Sequence, residues 1–139
     1  NAVDFGELYY DNTLGIFLSD YYYAVDLGIT ANLPNWTIQH SVTPVVHEST
    51  ADTLDNNINV TFHQQLNASP NLELERVAYA DSNGMSFTKA ELAGGWLRIY
   101  YGIATGEASN DAPNAGPITS EKPAGNYQGQ VTVTLFETL

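Results

Sequence analysis

The sequence predicts an all-β protein, an antiparallel sandwich or barrel of about seven strands folded as one domain over residues 1–139. Three observations predict it. Apolar and polar residues alternate with a period of two in one segment after another, the pattern of strands with one buried face. Clusters of Gly, Pro, Asn and Asp separate these segments at intervals of roughly 8–20 residues. No stretch sustains the 3.6-residue period of an amphipathic helix.

Val3-Asp-Phe-Gly-Glu-Leu-Tyr9 alternates and runs into the turn-like Asp11-Asn12. Tyr21, Tyr23, Val25, Leu27 and Ile29 share one face of the next segment, which Asn-Leu-Pro34-Asn closes. Trp36, Ile38, His40 and Val42 then oppose Thr37, Gln39, Ser41 and Thr43. Ile58, Val60 and Phe62 alternate with Asn59, Thr61 and His63, and a weaker strand is predicted around Leu72, Leu74, Arg76 and Tyr79. Thr88-Lys-Ala-Glu91 matches a capping box, so one or two helical turns are expected before Gly94-Gly95. Leu97, Ile99, Tyr101 and Ile103 face away from Trp96, Arg98 and Tyr100. A long Gly/Ala/Asn/Pro loop follows, too long for a hairpin, which places the last two strands in different sheets. In the final strand Tyr127, Gly129, Val131, Val133 and Leu135 share the apolar parity against Gln128, Gln130, Thr132 and Thr134.

At 139 residues, 43% hydrophobic and 12% aromatic, the chain can bury a core without metal or disulfide help. Four basic against sixteen acidic residues give a net charge of −12. Phosphate backbones and anionic lipid surfaces repel such a protein, so neither nucleic acid nor membrane is expected as a partner. The absence of cysteine removes disulfides, thiol catalysis and cysteine-held metal. No apolar run is long enough to span a bilayer, and the start at Asn1 without a leader pattern reads as a mature product or a fragment.

Catalytic patterns are thin, and no enzyme activity and no cofactor are expected. There is no Gly-x-Ser-x-Gly elbow. His40 falls on an apolar parity and is expected to be partly buried and hydrogen-bonded, His63 on a polar one and solvated, and nothing in the spacing of His40, His47 and His63 requires a zinc site. The pairs Glu73/Glu75 and Asp52/Asp55 read as solvated charge rather than glycosidase carboxylates. Asp52-Thr-Leu-Asp-Asn-Asn57 and Asp81-Ser-Asn-Gly84 place oxygen ligands in loops, as calcium prefers, but neither matches the twelve-residue calcium loop and Asx turns are the preferred reading. Asn35, Asn59 and Asn67 each head a glycosylation triplet. Tyr9, Tyr10, Tyr21, Tyr22 and Tyr23 form an aromatic-rich start, with Tyr21 and Tyr23 expected to pack on a sheet face.

The chain's end carries its most specific pattern. Pro123-Ala-Gly-Asn-Tyr-Gln-Gly-Gln-Val-Thr-Val-Thr-Leu135 resembles the closing strand of chaperone–usher pathway pilus (fimbrial) subunits. Val3-Asp-Phe-Gly6 is similar to a motif that follows their first strand, and Leu97-Arg-Ile-Tyr-Tyr-Gly102 to their penultimate strand, a passage that also resembles spore-coat-U-like secreted domains. Together these segments cover about a third of the chain. The chain departs from many such subunits in lacking a disulfide, and in following Phe136 with Glu-Thr-Leu.

The resemblance implies an immunoglobulin-like sandwich short of one strand. Its groove would run beside the last strand, along Tyr127, Gly129, Val131, Val133 and Leu135. A periplasmic chaperone and then the N-terminal segment of a neighbouring pilus subunit would fill it by strand addition. A head-to-tail contact of that kind does not close on itself and builds a filament. The protein would then be secreted to the cell surface through the periplasm, as a structural or adhesive subunit. The alternative from the residues is a secreted carbohydrate-binding β-sandwich, with tyrosines or tryptophans as platforms for a surface glycan and room for a structural calcium.

Overall fold

The computed structural model describes residues 2–64, 74–79, 85–92, 95–109, 111–112 and 115–138, with backbone alone at 64 and 74–79. The fold is all-β and sandwich-like. Its strands are β1 (Tyr9–Asp11), β2 (Ile16–Leu18), β3 (Tyr23–Gly28), β4 (Trp36–Val42), β5 (Val46–His47), β6 (Ile58–Gln64), β7 (Leu74–Tyr79), β8 (Met85–Thr88), β9 (Trp96–Ile103), β10 (Tyr127–Gln128) and β11 (Val131–Glu137). A four-stranded sheet runs β3-β9-β6-β7 and a three-stranded sheet β11-β4-β8, with β1-β2 and β10-β5 as two short ribbons. Every strand pair is antiparallel.

The core lies where the predicted parities meet. Ile38 and Val42 of β4 and Phe87 of β8 pack against Val60 and Phe62 of β6 and Leu97, Ile99 and Tyr101 of β9. Burial alternates without a break along β9, as a one-faced strand requires. The last long strands do sit in different sheets, β9 in one and β11 in the other. Among the described residues no helix is long and apolar enough to cross a membrane.

Three expectations need correction. The alternation of Val3–Tyr9 yields a strand only from Tyr9; the residues before it are not paired as strand. Val3, Phe5 and Leu8 pack on the core, while side chains hold the backbone: the Ser19 hydroxyl donates to the Phe5 carbonyl at 2.6 Å, and the Tyr23 hydroxyl to that of Asp4. The capping box forms without its helix. Glu91 N–H donates to Thr88 Oγ1 at 3.3 Å and Thr88 N–H to Glu91 Oε1 at 3.1 Å, around a single turn closed by Leu92 N–H to the Thr88 carbonyl. Tyr21 is exposed rather than packed in a sheet face, its ring lying against Gly6 outside β3. Leu72, Glu73, Asn67, Gly94 and the Asp81–Gly84 loop lie outside the described residues.

Candidate functional site: an open edge between the two sheets

The final strand of the sequence is two strands. β10 pairs Tyr127 with His47 and Gln128 with Val46, and β11 then pairs Val131 with Val42. Three steps from Gln128 to Val131 therefore match four from Val46 to Val42, so the register shifts by one residue. The extra residue falls at Thr43-Pro44-Val45, where Pro44 has no N–H to offer a ladder.

Both glycines of the terminal motif are placed by close approach. A Cβ on Gly129 would come within 2.9 Å of Val45 Cγ2 and 3.0 Å of the Thr43 carbonyl oxygen. Gly125 has φ +142°, and a Cβ there would lie 2.3 Å from His47 Nε2. His47 holds this corner: Nδ1 accepts from the Ser49 N–H at 3.0 Å and the Thr50 N–H at 3.2 Å, so Nε2 carries the proton and donates to the Ala124 carbonyl at 2.7 Å. Tyr127 packs edge-on against His47, and its hydroxyl donates to the Pro123 carbonyl at 2.6 Å. Burial raises the Tyr127 phenol above its ordinary pKa, and Asp52 adds to the shift. Tyr127 and Gly129 thus anchor the corner and border the larger opening described below; they are not part of β11.

β11 itself is an edge strand with its apolar face uncovered. Val131, Val133 and Leu135 stand opposite Val42, His40 and Ile38, and directly opposed residues point to the same side of a sheet. Those β4 residues are buried, whereas Val131, Val133 and Leu135 remain 39%, 42% and 45% exposed. The backbone has the same phase. Thr43 N–H donates to the Gln130 carbonyl at 2.9 Å and Thr138 N–H to the Asn35 carbonyl at 3.1 Å, so even-numbered residues of β11 exchange bonds with β4. Hydrogen-bonded and non-hydrogen-bonded pairs alternate in an antiparallel ladder. Val131, Val133, Leu135 and Glu137 therefore turn N–H and C=O toward the outer edge, where no described strand pairs.

The facing edge of the other sheet is β3. Ile29 N–H donates to the Gly95 carbonyl at 2.9 Å, which by the same alternation directs the backbone groups of Ala24, Asp26 and Gly28 to the outer edge. Val25, on the inner parity opposite Ile99, is 38% exposed. Two openings adjoin β11, the first between these edges and the second between β11 and the Val3–Leu8 segment. One of about 370 Å³ is walled by Leu27, Ile29, Ala31, Ile38, Val133 and Leu135. The other, about 860 Å³, reaches from Val131 and Gly129 down to Val42, Ile58, Val60 and Tyr101. The sequence placed Val25 and Leu27 on an apolar face but gave no sign that this face borders the last strand.

Behind β11, His40 is 4% exposed, and its Nε2 lies 2.8 Å from the Tyr101 hydroxyl with Phe62 edge-on to the ring. Burial pushes the imidazole pKa down to about 4, a bond to its own backbone opposing the shift, and burial pushes the Tyr101 phenol up to about 12. The ring is neutral, and its Nε2 shares a hydrogen bond with the Tyr101 hydroxyl. His63 instead lies on the outer face, edge-on to Tyr100, in a row with Arg98. Arg98 grips Asp26 through Nε at 2.6 Å and Nη2 at 3.1 Å and lies over Trp96, and its bond to Asp26 holds that carboxyl below the usual range.

Other candidate ligands are used internally. Asp55 accepts the Val45 N–H at 2.7 Å and Asp52 the Thr50 hydroxyl at 2.7 Å. Asn59 is buried: its amide donates to Asp111 Oδ1 at 2.9 Å and its carbonyl accepts the Ala112 N–H at 2.8 Å, so this triplet asparagine is not presented to solvent. Asn35 is exposed. Among the described residues no group of three or more His, Asp or Glu could hold a metal ion. Comparison with protein-family models, with curated proteins and with solved structures finds no match.

Proposed function

We propose that this chain is a structural or adhesive subunit of a surface filament of the pilus type, completed by an extended segment from a partner. A periplasmic chaperone lends the strand first, and a neighbouring subunit replaces it. One observation carries the reading: Val131, Val133 and Leu135 of β11 have exposed side chains on the inner face and backbone groups that face the open edge. A strand laid there covers these side chains and pairs these backbone groups at once. Covering the exposed two-fifths of Val131, Val133 and Leu135 contributes about 2–4 kcal/mol from this side alone, at about 1.5–3 kcal/mol for each fully buried aliphatic side chain.

The test is thermal unfolding with a peptide of about ten residues alternating Val and Thr. At a hundredfold excess over Kd, linkage gives about 2.7 kcal/mol, on the order of 5–10 °C in Tm. Val133→Lys leaves the free chain's stability within about 0.5 kcal/mol, because its side chain reaches solvent, and removes the peptide's effect. An unchanged Tm with every alternating peptide rejects the proposal.

The tyrosines support the sugar-binding alternative. Tyr9, Tyr10, Tyr21 and Tyr22 are all exposed, Tyr22 at 76% with bare Gly102 beside it. That reading expects a Tm rise with a glycan, lost in Tyr22→Ala and indifferent to Val133→Lys.

A further inference from the structure

The outward face of the four-stranded sheet carries an ordered strip of rings. Along β9 the outward residues Trp96, Arg98 and Tyr100 are half-buried, and β3 sets Gly28, Asp26 and Ala24 directly opposite them. Just before β3, Tyr22 is 76% exposed and stands beside Gly102, where a Cβ would lie 3.9 Å from its own. Each of the three aromatic side chains thus has, across the strand pair, a neighbour with one side-chain carbon or none. A Cβ on Gly28 would meet no atom within 4 Å, so the sheet is bare beside Trp96. From Tyr22 to Trp96 the strip runs six residues, about 20 Å at about 3.4 Å per residue. Its one charged pair, Asp26 with Arg98, lies between the rings of Tyr100 and Trp96.

We infer that this strip binds a neutral, extended oligosaccharide, its sugar rings stacked by their C–H faces on Tyr22, Tyr100 and Trp96 and its hydroxyls bonded to the Asp26–Arg98 pair. The inference rests on the sugar-binding reading of the exposed tyrosines and places that site away from the β11 edge, which stays open to a partner strand. A sugar ring is apolar on its face and polar at its rim, and the strip alternates in the same way. Arg98 is already fixed: it donates to Asp26 at 2.6 and 3.1 Å and to the Tyr100 hydroxyl at 3.4 Å, and lies 5.5 Å from the Trp96 ring centre. His63 meets the Tyr100 ring edge-on at 5.1 Å. Little side-chain freedom is left to lose when a ligand arrives. The side chains of Arg98 and Asp26 remain 35% and 58% exposed. A dry protein interface would strip water from both charges, whereas sugar hydroxyls take its place. The net charge of −12 disfavours sialylated or sulfated glycans, so the ligand is neutral.

The experiment titrates the full chain with cellohexaose and with chitohexaose, read by calorimetry and by tryptophan fluorescence. Trp36 is buried in the core, so a shift in emission on binding is expected from Trp96. Tyr22→Ala and Tyr100→Ala are each expected to weaken binding about tenfold, the scale of one stacked ring. Tyr100→Phe keeps the ring and is expected to keep the affinity, which separates stacking from any loss of fold, and Tm of each variant is measured alongside. Asp26→Asn, which frees Arg98, is expected to weaken binding without moving Tm by more than a few degrees. Binding that survives Tyr22→Ala and Tyr100→Ala but is lost in Tyr9→Ala or Tyr10→Ala overturns this site and leaves the sugar-binding reading standing. Failure of both oligosaccharides to bind rejects that reading, and the inference with it, while strand donation at β11 is judged by its own peptide test.

Discussion

Acid should weaken this fold through one residue. His40 has a pKa of about 4 in the folded chain against an ordinary 6.5, because burial between the sheets penalises the imidazolium. Below pH 6.5 the unfolded chain therefore binds a proton that the folded chain refuses. Stability falls with pH through that window and stops falling on this account below about 4, where both states are protonated. Two and a half units at about 1.36 kcal/mol each amount to about 3 kcal/mol. That is a large share of the roughly 5–15 kcal/mol typical of a domain. The groups facing the ring are Tyr101, which stays protonated throughout, and the apolar Phe62, Val133 and Met85.

The perturbation is His40→Gln, whose amide can still meet the Tyr101 hydroxyl but does not titrate. Urea unfolding of both proteins between pH 7.5 and 4 separates this effect from the carboxylates, which titrate alike in the two. The wild type should lose about 3 kcal/mol more than the variant, chiefly between pH 6.5 and 4. An NMR titration of the His40 ring should show its midpoint near 4. Parallel pH profiles, or a midpoint near 6.5, would refute the account of a neutral histidine sealed in the core.

Gly125→Ala should destabilise by about 2–4 kcal/mol, since the added Cβ meets His47 Nε2 and the backbone there has positive φ; equilibrium unfolding checks it, and His47→Ala in the same background should recover part of the loss. Asn59→Ala should cost about 2–3 kcal/mol, because it strips Asp111 of one partner and leaves the buried Ala112 N–H unpaired. Hydrogen exchange at Ala112 should accelerate with it, and unchanged exchange would mean that Asn59 does not tether that loop.

Alternation alone identified the inward faces of β4, β6, β9 and β11, because side chains in a strand point to opposite sides whatever the neighbours are. It also identified His40 as an interior residue and the capping-box contacts of Thr88 and Glu91. It overreached at Val3–Leu8, where the pattern is present but no described strand pairs with it. It likewise merged β10 with β11, since the register shift at Thr43–Val45 lies in another segment.

What the sequence determined by itself is which side chains share a face. Only the tertiary structure decided which faces are covered. Val133 and Ile99 look alike in the sequence, yet Ile99 lies in a strand flanked on both sides and is buried, while Val133 lies on an edge and is not. The difference is one of neighbours, and strand pairing between residues far apart in the chain sets the neighbours. For the same reason Gly125 reads as an ordinary turn glycine until His47 is seen to occupy the space where its side chain would be.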